Sequence, residues 1–171
     1  MPGTKKLETA RLSLHEFDLD EAPLHKALND DWLVLRYTGD VTFDSVEATR
    51  AFLKAYNQYE LHGYGRWSVY LKETGEWLGW CGLKNHPEEG FVDLGYRFLR
   101  KHWGKGYATE ASLACIALGF DQLGLDEIIG RVSEENGPSI RVLEKCGMTF
   151  WKKEACEGID NSLIYRIRKP D

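Results

Sequence analysis

Hydrophobic and polar residues alternate along several short stretches of the chain, and such alternation predicts β-strands with one buried face. In chain order, the stretches that show it are residues 11–17, 66–71, 77–84, 91–99, 127–133, 149–154 and 162–168. The connections at residues 72–76 and 85–90 are rich in turn-forming residues. We therefore expect the strands on either side of each connection to pair as antiparallel hairpins.

Apolar residues at helical spacing predict helices over residues 19–29, 44–62 and 107–123, with a short helix after Asn136. Asn136 is a favourable N-cap, and Gly147 stands where a glycine commonly follows the last helical turn. The order β-α-α-β-β-β-α-β-α-β-β predicts an α/β fold of the α+β type, with a mixed sheet and helices on both faces. The 171 residues, 43% of them hydrophobic, predict one domain over residues 1–171.

Residues 100–110 join a predicted strand to a strongly apolar predicted helix, and they carry the clearest chemical signal. Gly104 and Gly106 leave backbone N–H groups that no side chain covers. The helix adds its unpaired first N–H groups and the positive end of its dipole. Lys101 and Lys105 add positive charge around the turn. The segment is therefore predicted to bind phosphate oxygens.

Two common phosphate loops do not fit this segment. A Walker loop needs Gly-Lys-Ser/Thr, whereas Tyr107 follows Gly106, and a dinucleotide loop needs glycine where Thr109 stands. Residues 101–106, Lys-His-Trp-Gly-Lys-Gly, instead resemble the pyrophosphate loop of the GNAT superfamily of acetyl-CoA-dependent N-acetyltransferases, Arg/Gln-x-x-Gly-x-Gly/Ala, with Lys101 in the first position. Residues 104–111 are similar to the same segment in the branch that contains the ribosomal-protein N-terminal (alanine and serine) acetyltransferases.

A second resemblance lies downstream. Residues 136–148 are similar to the superfamily element Asn-x-x-Ser-x-Arg-x-x-Glu-Lys-x-Gly-Phe, and the resemblance as a whole extends over roughly residues 8–168. It implies the GNAT fold, a central and mostly antiparallel sheet whose fourth and fifth strands are splayed so that the pantetheine of acetyl-CoA fits between them. Gly95 lies on the predicted fourth strand, where it either marks a bulge or is a packing glycine.

The resemblance also implies acetyl-CoA as the co-substrate. In the family, backbone N–H groups of the fourth strand, here residues 92–99, face the pantetheine and the thioester oxygen. The Asn and Ser of the second element contact the pantetheine and the thioester sulfur. The predicted cofactor-binding residues are Tyr96, Arg97, Phe98, Lys101, Trp103, Gly104, Lys105, Gly106, Tyr107, Ala108, Thr109, Asn136 and Ser139.

Many superfamily members carry a tyrosine general acid in the short helix, but Leu143 occupies that position here. A thiol with a pKa of about 8.5 needs only roughly 2 kcal/mol of help to leave at neutral pH. We therefore predict that a hydrogen bond from Ser139, beside Asn136, supplies much of it. Asp93 is the first-ranked general base, acting directly or through a water, and Glu134 and Glu135 are either alternative bases or surface charges. Glu110 is interpreted as a carboxylate that stabilises the helix dipole.

The composition limits the classes of partner. A net charge of −5 and a pI near 5.6 argue against nucleic acid and against an anionic membrane surface, and they suit an amine-bearing substrate. The four cysteines have no CxxC spacing and are expected to be reduced and mostly buried; no histidine cluster predicts a metal. No stretch resembles a signal peptide or a membrane span, so we predict a cytoplasmic protein, either monomer or homodimer.

These observations predict an acetyl-CoA-dependent N-acetyltransferase in which a primary amine attacks directly within a ternary complex. A peptide N-terminus is the favoured acceptor, with a small-molecule amine as the alternative. A CoA-binding sensor or scaffold without turnover, and a phosphate- or nucleotide-binding domain, are the rival functions. The aromatic segments at residues 32–37 and 62–66 either build the acceptor pocket or cover the edge of the sheet.

Overall fold

The computed structural model describes residues 2–155, 159 and 161–171. The strands in the described residues are β1 (Lys5–Glu8), β2 (Leu12–His15), β3 (Arg66–Leu71), β4 (Trp77–His86), β5 (Phe91–Phe98), β6 (Glu127–Ser133), β7 (Thr149–Lys153) and β8 (Ser162–Arg168). The α-helices described are α1 (Ala22–Asp30), α2 (Trp32–Leu35), α3 (Val46–Ala55), α4 (Gln58–His62), α5 (Tyr107–Asp121) and α6 (Gly137–Lys145). Short 3-10 turns occupy Leu19–Glu21 and Arg100–His102.

The strands form one mixed sheet in the order β1-β2-β3-β4-β5-β6-β8-β7. Neighbouring strands are antiparallel except β5 and β6, which are parallel. Trp80 and Cys81 are adjacent on β4 and therefore point to opposite faces. Trp80 contacts Arg97, which reaches α1, whereas Cys81 contacts Cys115 of α5. The predicted mixed sheet with helices on both faces is confirmed.

The parallel strands β5 and β6 are joined over only a short part of their length. They pair at Asp93 with Ile129 and at Leu94 with Gly130. Beyond these residues β5 stays paired with β4 as far as Phe98, and β6 stays paired with β8 as far as Ser133. The two strands therefore diverge and leave a gap between them. They are the fourth and fifth strands predicted from the sequence, and the expected splay is confirmed.

One strand was not predicted. The sequence predicts a single strand at residues 11–17, whereas the structure has the antiparallel pair β1 and β2. β1 has the sequence Lys-Lys-Leu-Glu, with only Leu7 apolar, and it forms the outer edge of the sheet. An exposed edge strand buries too little to show hydrophobic alternation.

The helix predicted over residues 44–62 is divided into α3 and α4. Tyr56, between them, has an extended backbone (φ −68°, ψ 112°), and its hydroxyl accepts a hydrogen bond of 2.7 Å from the backbone N–H of Arg66. The hydroxyl of Tyr59 accepts another, of 3.1 Å, from the backbone N–H of Phe17. The two phenols therefore bind backbone at the start of β3 and just after β2. Helical spacing alone does not reveal this tertiary requirement.

The helices α5 and α6 pack closely against β6, one of the two strands that border the gap. Gly119 of α5 lies so close to β6 that a Cβ atom there would stand 3.0 Å from Ile128. Leu143 of α6 is 2% exposed, and a Cβ atom on Gly130 of β6 would stand 3.0 Å from it. Leu143 therefore fixes α6 against the sheet. Among the described residues, no helix is long and apolar enough to cross a membrane.

The cysteine prediction is confirmed where the structure describes it. Cys81, Cys115 and Cys146 are free and buried. Cys156 lies outside the described residues.

Candidate active site

A cavity of about 1010 Å³ continues from the gap between β5 and β6 onto the face of the sheet that carries Trp80. It brings together five of the residues predicted from the sequence, from β5 and from the α6 region: Asp93, Tyr96, Arg97, Asn136 and Ser139. The loop at residues 101–109 follows the end of β5, in the direction in which the gap opens. The loop therefore lies beyond the open end of the gap, and the cavity lies along the gap.

The loop has the backbone conformation that phosphate binding requires. Gly104 and Gly106 have φ angles of 77° and 82°, in the left-handed region that favours glycine. Gly106 is the N-cap of α5, and no side chain caps this helix start. The first N–H groups of α5 are therefore left without a side-chain acceptor, which suits an anion.

Arg11, immediately before β2, contacts the loop and helps to fix its conformation. Its Nη1 donates a hydrogen bond of 2.9 Å to the carbonyl of Lys105, and its guanidinium lies 4.6 Å from the ring centre of Tyr107. Glu110 accepts hydrogen bonds from Thr9 Oγ1 (2.5 Å), the Arg11 backbone N–H (2.9 Å) and Arg11 Nε (2.7 Å). The interpretation of Glu110 as a plain dipole carboxylate is thus incomplete, because it also ties the loop to the sheet edge.

Glu110 keeps its charge in this arrangement. Burial opposes ionisation, but the hydrogen bonds from Thr9 and Arg11 and the Arg11 charge outweigh it and lower the pKa of Glu110. Arg11 and Glu110 are 99 residues apart in the chain. No sequence spacing links them, which is why Arg11 was not predicted.

Two predicted cofactor residues have side chains engaged elsewhere. Lys101 Nζ lies 2.7 Å from Glu76 Oε2, so its charge is partly balanced. Trp103 Nε1 donates a hydrogen bond of 2.8 Å to the carbonyl of Phe98, at the end of β5. The prediction that these residues contact the cofactor therefore rests mainly on the main chain of the loop.

A pair of hydroxyl groups spans the gap. Tyr96 Oη of β5 lies 2.6 Å from Ser139 Oγ of α6, and it donates to the Ser139 carbonyl at 3.1 Å. The Ser139 backbone N–H donates to Asn136 Oδ1 at 3.3 Å, so Asn136 is the N-cap that the sequence predicts. Burial raises the pKa of Tyr96, and its phenol therefore remains protonated.

Asp93 lies on the opposite face of β5 from Tyr96, in a group of basic side chains. It is 5% exposed, with Oδ1 2.9 Å from Arg66 Nη2 and 3.1 Å from His86 Nε2. Arg131 Nη2 lies 3.5 Å from Oδ2. Burial would raise the pKa of Asp93, but Arg66, His86 and Arg131 outweigh it and hold this pKa well below its usual range. A carboxylate so strongly stabilised in its charged form is a poor proton acceptor.

Gly95 makes room for an arginine. The pairing of β4 and β5 runs through Gly82 and Gly95 without a shift of register. A Cβ atom on Gly95 would stand 2.7 Å from Arg66 Cζ. Arg66 Nη1 donates to the carbonyls of Gly82 (2.8 Å) and Asp93 (3.1 Å). Gly95 is therefore a packing glycine and not a bulge. The side chain for which it makes room, Arg66, lines the floor of the cavity.

Arg97 and Phe98 can serve a cofactor only through their backbone. Arg97 Nη1 donates to Asn29 Oδ1 at 3.0 Å and Nη2 to Asp40 Oδ2 at 2.6 Å. Phe98 is 6% exposed within the core. Arg97 instead links the sheet to the segment after α2, where Tyr37, Thr38 and Asp40 line the cavity.

The aromatic segments contribute less to the cavity than the sequence suggests. Of residues 32–37 only Tyr37 lines it, and of residues 62–66 only Arg66. Tyr64 belongs to the core, and Trp32 is 67% exposed. His86, which sequence reasoning missed, could have been found from the hairpin register. With His86 opposite Phe91, it is the diagonal neighbour of Asp93 on one face.

The model of the acetyltransferase (GNAT) domain matches residues 11–149 of the chain. The chain belongs to the GNAT acetyltransferase family. It is 37% identical over 149 residues to a Bacillus licheniformis protein named uncharacterized N-acetyltransferase p20, covering 86% of this chain and 83% of the relative. The family predicted from the loop at residues 101–106 and the element at residues 136–148 is confirmed.

Solved structures agree with this membership. The acetyltransferase (GNAT family) from Bacillus anthracis superposes with a TM-score of 0.81 at 27% identity, over 96% of this chain and 98% of that one. RimL, a ribosomal L7/L12 α-N-protein acetyltransferase solved with coenzyme A, superposes with a TM-score of 0.78 over 96% and 98% of the two chains. At 16% identity, that second likeness concerns the fold alone.

Proposed function

We propose that this GNAT protein transfers the acetyl group of acetyl-CoA to an α-amine, with a peptide N-terminus preferred to a lysine or polyamine amine. The amine attacks directly, within a ternary complex. The observation that carries the proposal is the single cavity that joins the Tyr96–Ser139 pair in the gap to the charged floor around Asp93. A thioester in the gap and an amine on the floor would meet at the point where β5 and β6 separate.

The described residues fit acetyl-CoA. Gly104 and Gly106 leave the helix start of α5 open to a pyrophosphate, and a side chain at Gly106 would meet Arg11 at 3.3 Å. Past Leu94, β5 has no partner in β6, so its backbone is available to a pantetheine arm. Asn136 and Ser139 line the cavity beside that path. Bound acetyl-CoA would supply an activated acetyl group and a thiolate as leaving group.

The hydroxyl pair compensates for the leucine in α6. Leu143 is buried against Gly130 and offers no proton. The 2.6 Å contact allows the Tyr96 phenol to donate to Ser139 Oγ in place of the Ser139 carbonyl, and the serine proton is then free to point toward the sulfur position. We therefore assign Ser139 as the donor to the thiolate and Tyr96 as the group that orients it, so that the proton comes from across the gap. Asn136 holds Ser139 at the helix start.

The charges of the cavity favour an acceptor with one positive charge. Four of the five carboxylates among the described lining residues have an arginine or lysine within 4.0 Å, so only Glu89 is left to bind a polycation. The pairs are Asp40–Arg97, Asp93–Arg66, Glu127–Arg168 and Glu154–Lys152, and Glu89 is 56% exposed. An α-amine has a pKa of about 7.7–8.0 and loses its proton at pH 7 for about 1–1.4 kcal/mol, whereas a lysine needs about 4.6 kcal/mol. A site without a strong carboxylate base suits the former.

A thiol-release screen tests the proposal. The protein would be incubated with acetyl-CoA and, in turn, unblocked peptides, amino acids, polyamines and aminoglycosides, and free CoA thiol would be measured. We expect the fastest release with unblocked peptides. Fastest release with a polyamine would contradict the assignment of the acceptor.

Leu143 supports a second candidate, a CoA-binding sensor or scaffold that has lost turnover, because the family's usual proton donor is absent there. This candidate predicts CoA binding by calorimetry without thiol release for any amine in the screen. Thiol release with any acceptor contradicts it.

A further inference from the structure

We propose that His86 is the general base of the reaction and that Asp93 is the positioning residue that orients it. The inference rests on the proposed N-acetyltransferase function and names the group that receives the amine proton. It replaces the assignment of Asp93 as the base, because the strongly stabilised carboxylate is suited to holding a proton donor rather than to taking a proton.

His86 lies near the point where β5 and β6 separate. It ends β4, and its ring reaches across to Asp93, with Nε2 3.1 Å from Oδ1. Asp93 is one of the two β5 residues that pair with β6, and the gap opens directly after them. Both His86 and Asp93 line the cavity that continues into the gap. An amine approaching the gap from the open face therefore passes the imidazole.

The surroundings fix the tautomer of the imidazole. Asp93, ionised beside Arg66 and Arg131, can only accept a hydrogen bond, so the ring proton must be on Nε2. The lone pair is then on Nδ1. Among the described residues, the carboxylate nearest to Nδ1 is Glu89 Oε1 at 4.0 Å, beyond hydrogen-bond range, and Glu89 is 56% exposed. A base held by a third group in this way is the common arrangement in acyl transfer.

The charged groups around His86 come from several elements. Asp93 of β5 contacts the ring directly, and Glu89 lies in the turn after β4. Arg66 of β3 and Arg131 of β6 act on it through Asp93, and Lys84 lines the same cavity. The ring of Phe91 packs at 4.8 Å between centres. These neighbours leave the His86 ring 15% exposed, so it can exchange protons with solvent through the open cavity.

The step conserves atoms and charge. The lone pair of the α-amine forms the N–C bond to the acetyl carbon, and the C–S bond breaks. The proton of the amine goes to His86 Nδ1, directly or through one water, and His86 later releases it to solvent. The thiolate receives the hydroxyl proton of Ser139, Ser139 takes the phenol proton of Tyr96, and Tyr96 regains a proton from solvent through the open cavity.

His86→Gln tests the proposal, because glutamine retains an N–H that can donate to Asp93 but cannot act as a base. We expect kcat/KM for an unblocked peptide to fall by at least about tenfold. The acid limb of its pH profile should become shallower and retain only the ionisation of the substrate amine, while acetyl-CoA affinity by calorimetry stays unchanged. The matched control is His62→Gln, because His62 lies on α4 and hydrogen-bonds Asn85. This variant should keep the wild-type kcat/KM and the wild-type acid limb. His86→Asn serves as a second variant if the first does not fold.

A second readout does not depend on turnover. Imidazole ¹⁵N shifts of the wild-type protein, assigned with the His86→Gln variant, should show His86 as the Nε2–H tautomer. An Nδ1–H tautomer, or a His86→Gln variant with the wild-type rate and acid limb, would overturn the role of His86 while leaving acetyl transfer intact. Absence of transfer by the wild type to any amine would contradict the proposed function itself, and the base with it.

Discussion

The two sides of the gap between β5 and β6 are built in different ways. On the cofactor side the predicted ligands are backbone groups of one continuous segment, with Gly104 and Gly106 in the left-handed conformation. On the acceptor side the floor is made by Arg66, His86 and Asp93, together with Arg131, from four different strands. A phosphate site made of main-chain donors depends on local conformation. A group of paired charges from several strands depends on the register of the whole sheet.

This difference leads to opposite sensitivities. The cofactor side should respond to changes of backbone shape and tolerate changes of side-chain charge. The acceptor side should respond to the loss of a single charge, because each buried member of the group relies on its neighbours. The variants below test this contrast, in order of decreasing expected effect.

Asp93→Asn should cause the largest change, in stability. It leaves Arg66 buried without its ion pair, and we expect the free energy of unfolding at pH 7 to fall by about 3–5 kcal/mol. Urea denaturation measures it. Asp40→Asn removes a carboxylate that is 58% exposed and pairs with Arg97, and it should cost less than about 1 kcal/mol. Similar losses in the two variants would contradict the importance of burial.

The same carboxylate should make stability depend on pH. Because its basic neighbours lower the pKa of Asp93, the stabilisation is complete above the ordinary aspartate pKa of about 3.9 and is lost as the pH falls below it. The wild-type free energy of unfolding should therefore fall more steeply from pH 5 to pH 3 than that of Asp93→Asn. Parallel slopes would show that Asp93 has no such role.

Gly106→Val should weaken CoA binding at least about tenfold, which corresponds to about 1.4 kcal/mol. A branched side chain disfavours the φ angle of 82° and would occupy the phosphate seat. Calorimetry on the folded variant measures the affinity. Gly124→Val, with a similar φ of 69° beyond the far end of α5, imposes comparable strain and should leave CoA affinity unchanged. Unchanged affinity in Gly106→Val would remove the basis for the loop assignment.

Ser139→Ala should lower kcat about five- to thirtyfold while changing CoA affinity less, because the hydrogen bond strengthens as charge builds on the sulfur. Ser45→Ala removes the N-cap of α3, which accepts from Ala48 at 3.0 Å, and should lower stability without lowering kcat. Equal losses of binding and turnover in Ser139→Ala would reduce Ser139 to a structural residue of α6.

Arg11→Gln should have the smallest effect, a CoA affinity about two- to fivefold weaker, because the guanidinium contacts to the Lys105 carbonyl, Glu110 and Tyr107 are lost while the glycine backbone remains. Arg50→Gln, on the exposed surface of α3, is the matched control. A loss in Arg11→Gln as large as in Gly106→Val would mean that the loop needs its side-chain support as much as its backbone.

The same contrast explains how far the sequence could be interpreted. The loop and the N-cap at Asn136 follow from motifs because each is a property of a short continuous segment, whereas the diverging strands are implied by the family resemblance. The floor follows from neither, since His86 and Asp93 become neighbours only through the register of β4 and β5. The sequence predicts only a local role for Glu110 for the same reason, although its main partner Arg11 lies 99 residues earlier in the chain.

Leu143 shows another limit of prediction from the sequence. The sequence showed that the usual tyrosine is missing, but not what replaces it. The phenol of Tyr96 reaches Ser139 from β5, on the other side of the gap, and only the folded chain brings these two hydroxyls within 2.6 Å. A residue predicted as a simple cofactor contact therefore becomes part of the proposed proton path.

The most direct test of the account compares two peptides of the same length, one with a free N-terminus and no lysine, the other N-blocked with one lysine. The measured quantity is kcat/KM for acetyl transfer at pH 7. The account predicts faster acetylation of the free N-terminus, because the cavity has paired carboxylates and a histidine rather than a strong base for a lysine amine. Faster acetylation of the lysine would contradict it.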